Sequence, residues 1–223
     1  MSYTGHVSPG GAADVRQLPR LTITKVSVDP EMSNNCYLLR CHSTGEQVLV
    51  DAAAEPDTLL PLVGDAGLTA IVTTHQHWDH HRALADVVSA TGAEVVAGTP
   101  DADAITEQTG VEVTRRVGDG DTVAVGDCTL DVIAIAGHTP GSIALRYADP
   151  DGHDHLFTGD ALFPGGVGAT FGDDAAFTQL IDEVETKLFG RLDDETWFYP
   201  GHGDDGRLGD ERPHLEERRA RGW

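Results

Sequence analysis

The order of apolar and polar positions predicts a chain that alternates between strands and helices. Leu21–Val28 alternates with period two, which is typical of a half-buried strand. Short apolar runs bounded by turn residues predict further strands at 34–41, 47–50, 70–74, 94–98, 112–117, 121–125, 128–135, 142–147, 155–158 and 197–199. Helical spacing predicts helices at 55–65, 81–91, 101–109, 177–189 and 211–221. Residues 1–20 are rich in glycine, proline and alanine and are expected to form a loose N-terminal arm, followed by a single domain over 21–223.

The segment 75–80 concentrates metal-binding side chains directly after the buried-strand pattern at 70–73. In an extended loop His75 and His77 face the same way, so both imidazoles can reach one cation. Asp79 and His80 lie far enough along the chain to serve a second cation. The alternative is a solvated polar loop that binds no metal. Candidate ligands in later segments of the chain make this alternative the weaker interpretation.

Three further apolar strands run into glycine turns that carry a histidine or an aspartate. These candidate ligands are His138, Asp160 and His202. Glycines beside them allow sharp turns and close approach of the backbone to a bound group. Asp51 follows another strand, where it can cap the next turn or accept a hydrogen bond from a ligand histidine; we favour the second role.

Four motifs together resemble the metallo-β-lactamase superfamily, and their order is most similar to the glyoxalase II (hydroxyacylglutathione hydrolase) branch. They are H-x-H-x-D-H at 75–80, G-H-T-P-G-S at 137–142, T-G-D at 158–160 and P-G-H-G at 200–203. The resemblance implies an α+β fold, a four-layer αββα sandwich with the site at one edge of the two sheets. It also implies two divalent metal ions, with zinc favoured and iron or manganese as alternatives.

The resemblance assigns each candidate ligand to a metal. His75, His77 and His138 would hold the first ion, Asp79, His80 and His202 the second, and Asp160 would bridge them. Asp51 matches the family's carboxylate that supports a ligand histidine without binding metal.

The same resemblance implies hydrolysis of a thioester or a related small-molecule ester. Two ions about 3.5–4 Å apart can share a hydroxide, formed from water whose pKa has fallen from ~15.7 to about 7, and this hydroxide is the expected nucleophile. Asp79 or Asp160 would hold or orient its proton, so both are candidate catalytic residues. Trp78, His81, Phe163 and Gly166 are expected to wall the substrate site.

Two other functions compete with hydrolysis. One is oxidation by a single iron, as in persulfide dioxygenase relatives, with His75, His77, His138 or an equivalent histidine, and an aspartate around the metal. The other is metal binding without catalysis. The family's cation after the glycine-rich loop is absent, because Ala169-Thr170-Phe171 follows Gly168, so the thiol carrier of a thioester substrate is not predicted.

Charge and cysteine content narrow the partners and the compartment. The formal net charge of −22 disfavours nucleic acid and anionic membranes as partners. No apolar run approaches ~18 residues, so no transmembrane helix is expected. Three cysteines cannot all pair, which favours free thiols in the cytoplasm. The sequence does not define an oligomeric state.

Overall fold

Two β-sheets face each other in the computed structural model, which describes residues 3–222. Met1 and Ser2 of the predicted arm and Trp223 of the predicted domain lie outside the described residues. The first sheet has seven strands in the sequential order β1 to β7. These strands are β1 Asp14–Gln17, β2 Leu21–Val28, β3 Asn34–Cys41, β4 Gln47–Val50, β5 Ala70–Thr73, β6 Glu94–Gly98 and β7 Arg115–Val117.

The second sheet has six strands in the order β15-β14-β11-β10-β9-β8. Its strands are β8 Thr122–Val125, β9 Cys128–Ala134, β10 Ile143–Tyr147, β11 His155–Gly159, β14 Trp197–Pro200 and β15 Gly206–Arg207. Two further strands of two residues each, β12 Leu162–Phe163 and β13 Gly166–Val167, pair antiparallel as a separate hairpin. In sequence this hairpin lies between β11 and the next helix.

Helices cover the outer face of each sheet. Against the first sheet pack α1 Pro56–Val63, α2 Leu84–Thr91 and α3 Ala102–Thr109. Against the second pack α4 Asp174–Glu183, which continues as a π-helix over Val184–Phe189, then α5 Leu208–Glu211 and α6 Leu215–Arg221. A third apolar cluster fills the space between the two sheets. The four-layer αββα sandwich expected from the resemblance is therefore confirmed. None of the helices within residues 3–222 is long and apolar enough to cross a bilayer.

The N-terminal segment is not the loose arm that its composition predicts. Asp14–Gln17 form β1, which pairs antiparallel with β2 at the edge of the first sheet. The hydroxyl of Tyr3 donates to Asp205, with 2.6 Å between the oxygens. Backbone ladder bonds hold β1, whose residues are half-buried or exposed, so its side chains carry no apolar pattern.

Lys25 of β2 also departs from the burial that its polar character leads one to expect. Lys25 is fully buried between the sheets and forms an ion pair with Asp205, at 2.7 Å. Its ammonium also donates to the carbonyls of Gly5 and Gly203, at 2.7 and 2.8 Å. The long-range partners of Lys25, and not the local pattern, decide its burial.

Three predicted helices have clearly different limits in the structure. The helix expected over 177–189 begins earlier, at Asp174, where the side chain of Asp173 accepts from the amides of Ala175 and Ala176. The helix expected from His81 begins at Leu84, because Trp78–His80 form a 3₁₀ turn first. The terminal helix expected over 211–221 is divided by a 3₁₀ turn at Arg212–His214, which contains Pro213.

Candidate metal centre

The candidate ligands lie just after the carboxyl ends of strands from both sheets. His75 follows β5 of the first sheet, whereas His138, Asp160 and His202 follow β9, β11 and β14 of the second. Hydrogen bonds between the sheets fix these loops together. The amide of Ile143 donates to the carbonyl of Thr74 at 2.9 Å, and that of Asn35 donates to Gly201 at 2.7 Å. The site therefore sits at one edge of the sandwich.

The structure brings all seven predicted ligands into one cluster. They form three overlapping groups, within each of which the ligand atoms lie within 4.8 Å of one another: His75 with His77 and His138, His75 with His80 and Asp160, and Asp79 with His80 and His202. Asp160 lies between the outer groups, since its Oδ2 is 3.6 Å from Nε2 of His138 and 3.5 Å from Nε2 of His202. The arrangement offers two adjoining cation positions with Asp160 between them.

Four of the histidines have their Nδ1 atoms against oxygen acceptors outside the cluster. The partners are Thr74 Oγ1 for His75 at 3.0 Å, Asp51 Oδ2 for His80 at 2.8 Å, the Ala169 carbonyl for His138 at 2.7 Å and the Met32 carbonyl for His202 at 2.8 Å. Donation from Nδ1 leaves the Nε2 lone pair of each neutral ring facing inward, as a metal requires. Burial lowers the pKa of His75 and His138, which keeps these two rings neutral.

Unpartnered polar atoms show that a cation fits the cluster. The Nε2 atoms of His75 and His138 are buried without a hydrogen-bond partner. Buried polar atoms are rarely left unsatisfied, because each costs about 1–3 kcal/mol. A Cβ at Gly201 would lie 2.2 Å from Asp160 Oδ1 and 2.6 Å from His80 Cε1, so only glycine leaves this space open. Imidazole and carboxylate together suit zinc, iron or manganese.

The carboxylates give the second position a strongly anionic character. Burial opposes protonation of His80, but the carboxylates of Asp160 and Asp51 outweigh it and raise the pKa of this ring. Burial likewise opposes protonation of His202, yet its hydrogen bonds to Asp160 and Asp79 raise its pKa to about 9. In the metal-free protein these two rings therefore hold protons at neutral pH, which a metal ion must displace.

Asp51 contacts the cluster without being one of its seven candidate ligands. Its carboxylate accepts from the amide of Thr74 at 2.8 Å, from the Thr74 hydroxyl at 2.9 Å and from His80 Nδ1 at 2.8 Å. This is the contact with a ligand histidine that the sequence suggested. Sequence reasoning missed Asn34, which is fully buried, donates to Asp79 Oδ2 at 3.0 Å and forms a backbone bridge with His202. An amide at the start of a strand gives no signal of such a role.

A cleft of about 640 Å³ opens over the ligands. Phe163 and Gly166, both predicted to wall the substrate site, line it. Met32 and Phe171, which sequence reasoning missed, line the same cleft, as does Arg221. Phe171 is 79% exposed, and its ring centroid lies 5.8 Å from that of His77. An exposed aromatic ring beside the ligands forms an apolar lip on the cleft.

Trp78 and His81 occupy a different place from the one expected. They line a separate cleft together with Arg82, whose guanidinium lies 4.6 Å from the centre of the Trp78 ring. The 3₁₀ turn at Trp78–His80 explains the difference, since successive side chains of such a turn point about 120° apart. Asp79 and His80 face the cluster, and Trp78 turns outward. A substrate contact for Trp78 and His81 has no support from the cleft geometry.

Comparison with known proteins gives the same family as the motifs. The profile described as Metallo-beta-lactamase superfamily matches residues 29–202. Hydroxyacylglutathione hydrolase of Rhodospirillum rubrum is 34% identical over 172 residues, 76% of this chain and 62% of the relative. The enzyme of the same name from Thermosynechococcus vestitus is 37% identical over 76% of this chain and 63% of its own length. The chain thus spans less than two thirds of either relative.

Solved structures extend the likeness to most of the chain. A crystal structure of ETHE1 from Myxococcus xanthus has a TM-score of 0.76 at 31% identity and covers 89% of this chain and 84% of its own. A crystal structure of TTHA1623 in a di-iron-bound form has a TM-score of 0.64 at 32% identity and covers 84% of this chain and 96% of its own. Family profile, relatives and fold agree, and the chain belongs to the metallo-beta-lactamase superfamily.

Proposed function

We propose that this protein is a metal-dependent hydrolase that cleaves a thioester or a related small-molecule ester. The observation that carries the proposal is the placement of Asp160 between two complete groups of imidazole and carboxylate ligands. His75, His77 and His138 would hold one ion, Asp79, His80 and His202 the other, and Asp160 both. Zinc is the favoured metal. Bound divalent ions would supply the acidification of water and the polarisation of a carbonyl that hydrolysis needs.

The chain's own residues orient the reacting groups. Burial opposes ionisation of Asp79, but His202 and His80, together with the amide of Asn34, outweigh it and lower its pKa. Its carboxylate is therefore ionised and can accept a hydrogen bond that orients the attacking water. Asn34 and His202 both contact Oδ2, at 3.0 and 3.3 Å, so we assign this hydrogen bond to Oδ1. A thiolate leaving group needs no strong acid, which agrees with a cluster whose ionisable groups all serve as ligands.

The cleft walls suit a small molecule with an apolar portion. Phe163, Val167 and Phe171 line the opening above the ligands. Their side chains would exclude water from the reacting carbonyl and pack against the acyl or thiol part of the substrate. The names of the two hydroxyacylglutathione hydrolase relatives support a thioester as the substrate class. Three free cysteines support the cytoplasm as the compartment.

Oxidation of a persulfide by a single iron is the second candidate function. The likeness to the ETHE1 structure favours it, and the di-iron-bound TTHA1623 structure keeps iron as an alternative metal for the hydrolase as well. The group of Asp79, His80 and His202 argues for hydrolysis, since a single iron would use only one of the two groups of ligands.

Metal-loaded protein assayed on both substrate classes separates these functions. Purified protein loaded with zinc or iron is given acyl thioesters of several thiols, and free thiol release is measured. Oxygen uptake is measured in parallel with a persulfide. We expect thiol release that needs two metal equivalents and is lost in Asp160→Asn. Asp149→Asn is the matched control, because Asp149 is also a buried aspartate but caps a distant turn. One iron per chain with oxygen uptake and no thiol release would contradict the proposal.

A further inference from the structure

Asp101 is a buried carboxylate that the metal cluster does not use as a ligand. It directly precedes α3 and is 0% exposed. An aspartate at this position usually accepts hydrogen bonds from the first amides of its own helix. Asp101 makes no such bond with its side chain. Its carboxylate oxygens accept hydrogen bonds from other segments of the chain instead.

Both carboxylate oxygens of Asp101 bind the loops that carry the first group of ligands. Oδ2 accepts from the amide of Gln76 at 2.9 Å and from the hydroxyl of Thr139 at 2.5 Å. Oδ1 accepts from the amide of Gly141 at 2.7 Å. Gln76 stands between His75 and His77 in sequence, and Thr139 directly follows His138. One carboxylate thus ties together two loops that belong to different sheets.

Close packing of Gly141 against Asp101 restricts the position of the loop that carries His138. A Cβ at Gly141 would lie 2.4 Å from the amide nitrogen of Asp101 and 2.8 Å from its Cγ. The backbone of the second loop therefore approaches Asp101 as closely as glycine allows. Within residues 3–222 no ion pair involves Asp101, so these three donors satisfy its buried carboxylate oxygens. A hydrogen-bond donor in place of either carboxylate oxygen would therefore break at least one of these hydrogen bonds.

We propose that Asp101 is a positioning residue for the first metal. By holding Gln76 and Thr139 on one carboxylate, it sets the separation of the His75–His77 pair from His138. This inference rests on the metal site of the proposed function. It assigns to Asp101 a role that neither the four motifs nor the ligand set includes.

Stepwise cobalt binding tests the role of Asp101. Metal-free wild-type protein is titrated with Co²⁺ under chelator competition, and the visible absorption of the bound ion is followed. The step that survives His202→Ala identifies the first site. Asp101→Asn keeps the size of the side chain but turns an NH₂ group toward at least one donor. Thr139→Val removes the hydroxyl that bonds Asp101 and also contacts Ser142 Oγ at 2.6 Å, but it keeps the side-chain shape and the other two donors to Asp101, so it tests the same contact in a milder variant. Asp149→Asn is the control for loss of a buried carboxylate.

The expected result is selective. Asp101→Asn weakens the first cobalt step about 10- to 100-fold and changes its absorption spectrum, as loss of an outer hydrogen-bond partner does at other metal sites. Thr139→Val moves the same step in the same direction by less, and Asp149→Asn leaves it unchanged.

Two outcomes would overturn the proposal. If Asp101→Asn and Thr139→Val lower the melting temperature but leave the first step and its spectrum as in wild type, Asp101 is only structural. If Asp149→Asn weakens the step equally, the effect is not specific to the tie. A wild-type protein that binds no cobalt would instead refute the metal site itself, which keeps the two failures distinct.

Discussion

Asp51→Asn tests the hydrogen-bond arrangement beneath the second metal position. The carboxylate of Asp51 accepts from His80 Nδ1 at 2.8 Å and from the amide and hydroxyl of Thr74 at 2.8 and 2.9 Å. Asparagine has the same size, and its oxygen can still accept from the Thr74 amide. Its NH₂ group faces His80 Nδ1, which must then accept a hydrogen bond. The neutral His80 ring then carries its proton on Nε2, the atom that a metal needs.

The size of the effect follows from what the substitution removes. Loss of a carboxylate that orients a ligand histidine typically weakens metal binding about 10- to 100-fold, or roughly 1.4–2.8 kcal/mol. The free energy of unfolding of the metal-free protein should fall by only about 1–2 kcal/mol, because the three donors keep polar neighbours. We therefore expect a large change in the affinity of the second position and a smaller one in stability.

Stepwise Co²⁺ titration measures this effect directly. The step lost in His202→Ala belongs to the second position, and Asp51→Asn should weaken that step while changing the first step less. Nitrogen chemical shifts of the His80 ring report its tautomer independently. If Asp51→Asn binds the second ion with wild-type affinity, or if its His80 ring keeps the proton on Nδ1, the reasoning about Asp51 is wrong.

Three further predictions concern the pH dependence of stability, the buried Lys25–Asp205 ion pair and the cleft. In the metal-free protein the pKa of His202 is raised from 6.5 to about 9. Protonated His202 therefore stabilises the fold fully below pH 6.5, and this stabilisation is lost as the pH rises through 9. Thermal melts with a chelator should show the melting temperature falling over this window, and metal-loaded protein should not show the fall. Lys25→Met leaves Asp205 buried without its cation and should cost about 3–5 kcal/mol in urea unfolding; an unchanged unfolding midpoint would contradict this. Phe171→Ala removes an exposed ring, so stability should change by less than about 0.5 kcal/mol, while KM for apolar acyl thioesters rises and kcat stays the same; equal kinetics on all acyl groups would exclude a substrate contact.

Most strands, and the places of the candidate ligands, were predictable because they depend on local sequence, whereas the αββα fold was predicted from the family resemblance of the motifs. Strands such as β3 and β6 have the limits that their apolar runs predict. Each predicted ligand after the histidine segment follows a strand and stands beside glycine, so the sequence identifies both the residue and its place at a strand end. The resemblance of the motifs to the metallo-β-lactamase superfamily is confirmed by the family profile over residues 29–202.

The supporting contacts were not predictable because they join positions far apart in the chain. Asp101 and Thr139 are separated by 38 positions, and nothing near either of them indicates that they touch. The same holds for Lys25 and Asp205, which are 180 positions apart. Trp78 lines a separate cleft for a local reason, since the 3₁₀ turn at Trp78–His80 directs Asp79 and His80 toward the cluster and Trp78 outward.

The most direct test of two metals sharing Asp160 is anomalous X-ray diffraction from crystals of zinc-loaded protein at the zinc absorption edge. We predict two peaks on either side of the Asp160 carboxylate, one contacted by His75, His77 and His138 and the other by Asp79, His80 and His202. A single peak at full zinc loading, or peaks away from these residues, would contradict the account.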